Sequence, residues 1–183
     1  VSVTLDYDKR NQRYRTSEGF RSTYNIDMPI LSDNYTLTNS YDFKKYTSLY
    51  DNNTTSFTFF LQSANSITGK DVKLSERLFL SSKKLRGFEK GKVGPKDGND
   101  FIGGNFAAGI NFNSSLPFLF ENLQNIETSI FLDVANLWGV DYDSSLDDND
   151  EIRSSIGIGV DWFTVVGPLT FSIAETISKA DTD

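Results

Sequence analysis

Ile152-Arg153-Ser154-Ser155-Ile156-Gly157-Ile158-Gly159-Val160-Asp161-Trp162 is the stretch that decides the fold. Ile152, Ile156, Ile158, Val160 and Trp162 share one parity; Arg153, Ser155, Gly157, Gly159 and Asp161 share the other. A period of two belongs to an extended strand with one apolar and one polar face. The polar parity carries charges of both signs. A packed soluble core would have to pair Arg153 and Asp161, whereas a water-filled lumen tolerates both. The stretch therefore predicts a strand with lipid on one side and a lumen on the other. The competing reading is a soluble antiparallel sandwich with one wet face.

The same alternation recurs along the chain. Val1, Val3, Leu5 and Tyr7 oppose Ser2, Thr4, Asp6 and Asp8. Further segments follow from Phe20, Tyr35, Phe57, Phe106, Ile130 and Leu169, and Phe60 breaks the rule in the fourth. About eight strands of roughly 9–11 residues result, the length a tilted strand needs to cross a bilayer. The expected fold is an all-β antiparallel transmembrane barrel. Trp138 and Trp162 fall near strand ends, where membrane-interface anchors belong. Ser32-Asp33-Asn34, Asp51-Asn52-Asn53 and Thr164-Val165-Val166-Gly167 predict tight connections, but roughly 40 residues, 65–104, separate strands four and five.

Composition excludes several functions. The 183 residues contain no Cys and no His. Disulfides, thiolate metal sites, histidine triads and His-based zinc sites are thereby removed. A net charge of −7 and a pI near 4.6 argue against a nucleic-acid partner. Hydrophobic residues make up 38% and mean hydropathy is −0.38. A membrane barrel gives such soluble-looking averages because alternate strand residues are polar. No run approaches the ~18 apolar residues of a spanning helix. Asp6 with Asp8 forms a carboxylate pair that nothing else supports as catalytic. The run Asp141, Asp143, Asp147, Asp148, Asp150 and Glu151 lacks the spacing of a calcium loop and is expected to be solvated. Lys9, Arg10, Arg13 and Arg15 are expected to form a solvated basic turn. No catalytic residue, metal site or cofactor is expected.

Within the long connection stands Leu85-Arg86-Gly87-Phe88, and after it Gly94-Pro95. The first resembles the (V/L/I)RGF motif in the sixth extracellular loop of BamA-type outer-membrane assembly factors. Residues 69–79 resemble the family's approach to that motif, and Val93-Gly94-Pro95 resembles its IGP turn. Phe131-Leu132-Asp133-Val134-Ala135-Asn136-Leu137-Trp138 resembles its FxDxGNxW strand, and 153–172 its closing strands. The resemblance covers almost the whole chain in the family's order. It implies the C-terminal half of a sixteen-stranded barrel, roughly strands eight to fifteen, spanning 1–183. The POTRA repeats, the first strands and the last strand would lie outside it.

The resemblance further implies that the loop folds into the lumen and that Arg86 pairs with inward carboxylates. Asp133 is the matching carboxylate. Many relatives carry a second acid where this chain has Asn111, so the pairing would rest on Asp133 alone or recruit Asp161. The implied function is assembly and insertion of outer-membrane β-barrel proteins, without enzymatic chemistry. Implied partners are outer-membrane lipid and lipopolysaccharide, unfolded outer-membrane protein clients, and accessory assembly lipoproteins. Alternatives of the same superfamily are a two-partner-secretion or TamA-like translocation pore. A passive porin is the remaining alternative.

Overall fold

A computed structural model describes residues 1–13, 15–31, 35–117, 119, 125–146 and 151–180. Among the described residues, eight long strands form one antiparallel sheet: β1 (Ser2–Asp8), β2 (Gly19–Asp27), β3 (Thr36–Thr47), β4 (Thr55–Ser66), β7 (Phe106–Ser115), β8 (Ile126–Trp138), β9 (Arg153–Thr164) and β10 (Gly167–Ser178). Each pairs with the next in the order β1-β2-β3-β4-β7-β8-β9-β10. The sheet is an open meander with β1 and β10 at its edges. Two-residue strands β5 (Lys96–Asp97) and β6 (Asp100–Phe101) form a separate hairpin in the long connection. The Ser32-Asp33-Asn34 turn and residues Asp147, Asp148 and Asp150 lie outside the described residues.

The strands follow the alternation. Val3, Leu5, Phe57, Leu61, Ile110, Ile130, Ile156, Ile158, Phe171 and Ile173 expose apolar side chains on one face. Among the described residues, no helix is long and apolar enough to cross a membrane. The opposite face is where the buried side chains lie. Asp133, Arg153, Ser155, Phe60 and Phe131 are almost wholly inaccessible there.

The core is built between this inner face and the long connection. Leu80, Leu85 and Val93 from the loop pack with Phe60 of β4, Ala107 of β7, and Ala135 and Leu137 of β8. Leu78 and Phe88 pack against the edge of that cluster. Phe60, which breaks the alternation of its strand, is thereby explained. It faces inward because a loop, not water, meets it there. The connection, residues 67–105, is also not structureless. It contains a short 3-10 turn at Leu74–Glu76 and the β5–β6 hairpin.

Connections alternate between the two ends of the sheet. The two-residue turn Val165–Val166 and the turn closed by Asn53 N–H donating to Tyr50 O mark one end. The long connections 67–105 and 139–152 mark the other. Outer-membrane barrels place short turns at the periplasm and long loops outside. Trp138, the last residue of β8, and Trp162, near the end of β9, stand at opposite ends.

Candidate functional site

The site begins with strand register. Asn111 of β7 lies opposite Asp133 of β8, and Asp133 lies opposite Ser155 of β9. Three polar side chains thus stand in one row on the inner face. The RGF tip settles on this row.

Arg86 donates from Nε to Asp133 Oδ2 at 2.7 Å and from Nη2 to Asp133 Oδ1 at 2.7 Å. This is the two-pronged geometry by which a planar guanidinium grips a carboxylate. The Arg86 backbone N–H adds a third bond to Asp133 Oδ2 at 3.1 Å. Asn111 Nδ2 donates to Asp133 Oδ1 at 2.9 Å and to the Lys84 carbonyl at 2.8 Å. Ser155 Oγ donates to the Arg86 carbonyl at 2.6 Å. The carboxylate, fully buried, therefore receives four donors. Beneath the guanidinium lies the Phe131 ring, with Arg86 Cζ 3.5 Å from its centroid. Cation–π attraction strengthens when both groups are desolvated.

Local backbone makes this approach possible. Gly87 has φ +85°, and a Cβ there would stand 2.9 Å from the Ala174 Cβ. Any side chain would lift the tip off β9 and β10. Gly94 plays the same part higher up the loop, where a Cβ would meet the Leu137 side chain at 2.7 Å. Pro95 beside it is fully buried, and its carbonyl accepts from Ile102 N–H at 3.0 Å.

Asp161 is not brought to this row. It lies six residues beyond Ser155 on β9, about 20 Å along the strand, where it accepts a hydrogen bond from Thr170 Oγ1. Recruitment of Asp161 is therefore corrected: Asn111, an amide, fills the second position. Arg153 faces inward and is fully buried, donating to Asn136 Oδ1 and the Glu151 carbonyl. Lys84 takes its own carboxylate, Asp42 of β3 at 3.4 Å, and lies 4.1 Å from the Phe60 ring centroid. Ser155, Phe131 and Lys84 were missed as site residues. Ser155 stood on the polar parity of the deciding strand, which is the one sequence signal available for it.

A second tie joins the loops. Arg77 pairs with Asp141, whose other oxygen accepts from Val72 N–H at 2.6 Å. Arg77 also lies over the Tyr142 ring, 5.0 Å from its centroid. Asp141 is thus no member of a merely solvated acidic run. Burial alone would raise its pKa; hydrogen bonds from Val72 N–H and Asn105, with the Arg77 charge, outweigh this and hold it below the ordinary 3.8. A carboxyl so lowered contributes stability above its unfolded value and loses it as pH falls through its folded value. The loop-protecting difference between wild type and Asp141→Asn is expected to be constant above about pH 5 and to shrink below about pH 4. Hydrogen exchange of the loop across an acid titration checks it. Among the described residues, no cluster of Asp, Glu, His or Cys could hold a metal ion.

The Omp85 superfamily domain matches residues 1–183. The chain belongs to the Omp85 superfamily. This Omp85 chain is 29% identical over 119 residues to the outer membrane protein assembly factor BamA of Neorickettsia risticii (strain Illinois). That alignment covers 63% of this chain and 16% of the relative. The crystal structure of BamA from Haemophilus ducreyi lacking POTRA domains 1-3 superposes with a TM-score of 0.89 at 26% identity. The match covers all of this chain and 39% of that one. The Omp85 sheet described above is therefore a segment of an outer-membrane β-barrel wall, and the chain spans well under half the length of either relative.

Proposed function

We propose that this Omp85 segment forms the loop-bearing wall of a barrel that assembles and inserts β-barrel proteins into the outer membrane. The carrying observation is the RGF loop, docked by Arg86 on the Asn111–Asp133–Ser155 row of a sheet that superposes on one BamA barrel, in a chain similar in sequence to another BamA. The segment corresponds on this reading to roughly strands eight to fifteen of a sixteen-stranded barrel. The function requires no bond-making chemistry. In lipid, unpaired strand edges are costly, so an edge of the complete barrel offers backbone groups to an incoming strand. The docked loop contributes by holding one shape of the wall while such an edge opens and closes. Its partners would be unfolded outer-membrane proteins, outer-membrane lipid with lipopolysaccharide, and accessory lipoproteins.

Depletion of the full-length protein tests this. Folding of several unrelated outer-membrane barrels, followed by heat-modifiable gel mobility, should fall together. Loss of one secreted protein with all barrels intact would point instead to a dedicated translocation pore. A large steady conductance with no assembly defect would point to a porin.

A further inference from the structure

The turn between β1 and β2, described at residues 9–13 and 15–18, does not stand free at the short-turn end. Its Arg15 reaches Glu127 at 3.0 Å and lies 4.5 Å from the centroid of the Phe163 ring. Glu127 belongs to β8 and Phe163 to β9, both on the inner-face parity. Along the sheet, β2 and β8 are four strand positions apart, about 19 Å at normal spacing. The turn therefore crosses the inner side of the wall instead of continuing the sheet. Beneath it is a cavity of about 300 Å³, lined in part by Arg10, Lys44, Asn113, Glu127 and Asp161.

The turn is shaped to make this crossing. Arg15 adopts φ +52°, a left-handed conformation that is unusual for a side-chain-bearing residue. Gln12 Nε2 donates to the Arg15 carbonyl at 2.6 Å, and Thr16 Oγ1 donates to the Gln12 carbonyl at 2.7 Å. Arg10 is drawn down against Asp8, its Nη2 at 2.6 Å from Oδ2. These bonds hold the peptide while the Arg15 side chain points away from its own hairpin.

The holding forces at the two ends of the wall differ in kind. Arg86 meets a carboxylate that is fully buried, whereas the Arg15 and Glu127 side chains are each about half exposed. A half-exposed ion pair contributes little and is screened by salt. Against it stands the strained Arg15 backbone. We propose that residues 9–13 and 15–18 form a reversible strap across the periplasmic mouth of the lumen, latched by Arg15 on Glu127 and Phe163. The extracellular loop is a fixed plug; the strap is a gate.

The test uses the full-length protein in planar bilayers, with heat-modifiable mobility confirming a folded barrel for each variant. Arg15→Ala and Glu127→Ala should each raise mean conductance about twofold or more, as expected when a constriction is released. The exchange Arg15→Glu with Glu127→Arg should return most of the closure that Arg15→Glu alone removes. Lys179→Ala, an exposed cation just after β10 and outside the strap and its cavity, should leave conductance unchanged. Cysteines at 15 and 127 should be joined by a reducible bifunctional thiol reagent long enough to replace the two side chains, and should hold the closed level until it is reduced. Unchanged conductance in Arg15→Ala, an exchange no better than Arg15→Glu, or failure of the cysteines to cross-link when a directly opposed pair at 40 and 62 does so, would each overturn the strap. Client folding is scored separately, so loss of the assembly reading leaves the gate standing, and the reverse.

Discussion

Arg86→Ala should destabilise the barrel of the full-length protein by roughly 3–5 kcal/mol, the cost of removing one partner of a buried ion pair. Asp133 is fully buried and would keep only the Asn111 amide and the Arg86 backbone N–H. Phe131 would lose the cation above its ring. Asp133→Ala should do comparable damage by leaving the guanidinium unmatched. The double variant should be less harmed than the sum of the two, because neither charge is then stranded. Arg86→Lys should rescue poorly, since an ammonium is a point charge and cannot occupy both carboxylate oxygens in the same plane. Loss of heat-modifiable mobility at lower temperature measures the effect, and release of the loop to extracellular protease locates it. Strictly additive losses in the double variant would show that the two residues do not act as a pair.

Asn111→Asp should also be damaging. Here the amide is a donor twice over, to Asp133 Oδ1 and to the Lys84 carbonyl. A carboxylate donates neither bond and sets a negative charge against another carboxylate and a carbonyl oxygen. Loss of the two donors costs roughly 2–6 kcal/mol, at about 1–3 kcal/mol for each. Asn111→Ala removes the same bonds without the repulsion and should be the milder change. Thermal gel-shift series on the two variants give the order. A barrel with Asn111→Asp as stable as wild type would mean that Arg86 swings to share two acids.

The fold was legible because period-two alternation needs no knowledge of partners. Val1 to Asp8 and Ile152 to Trp162 state their two faces by themselves. The pairing of Arg86 with Asp133 was legible only through the resemblance, since 47 residues separate the two and nothing local links them. What stayed hidden depends on register and on loop docking. Ser155 was known to face inward, but its place beside Asp133 is fixed by how β8 and β9 align. Asp161 shared that face and was credited with a role that about 20 Å of strand denies it. Phe60 looked like an error in a pattern until the loop that covers it was in place. Arg15 and Asp141 sat in charged runs, where composition describes solvation well and says nothing of a partner far along the chain.

The row Asn111–Asp133–Ser155 has one more consequence. Apolar patterning alone accepts a strand slipped by two residues, because every side chain keeps its face. Such a slip would carry one member of the row about 7 Å along its strand and out of reach of the others. The RGF tip can seat only when β7, β8 and β9 are zipped in a single alignment. Loop docking is in that sense an inspection of this barrel's own wall: it discriminates between pairings that hydrophobicity cannot tell apart.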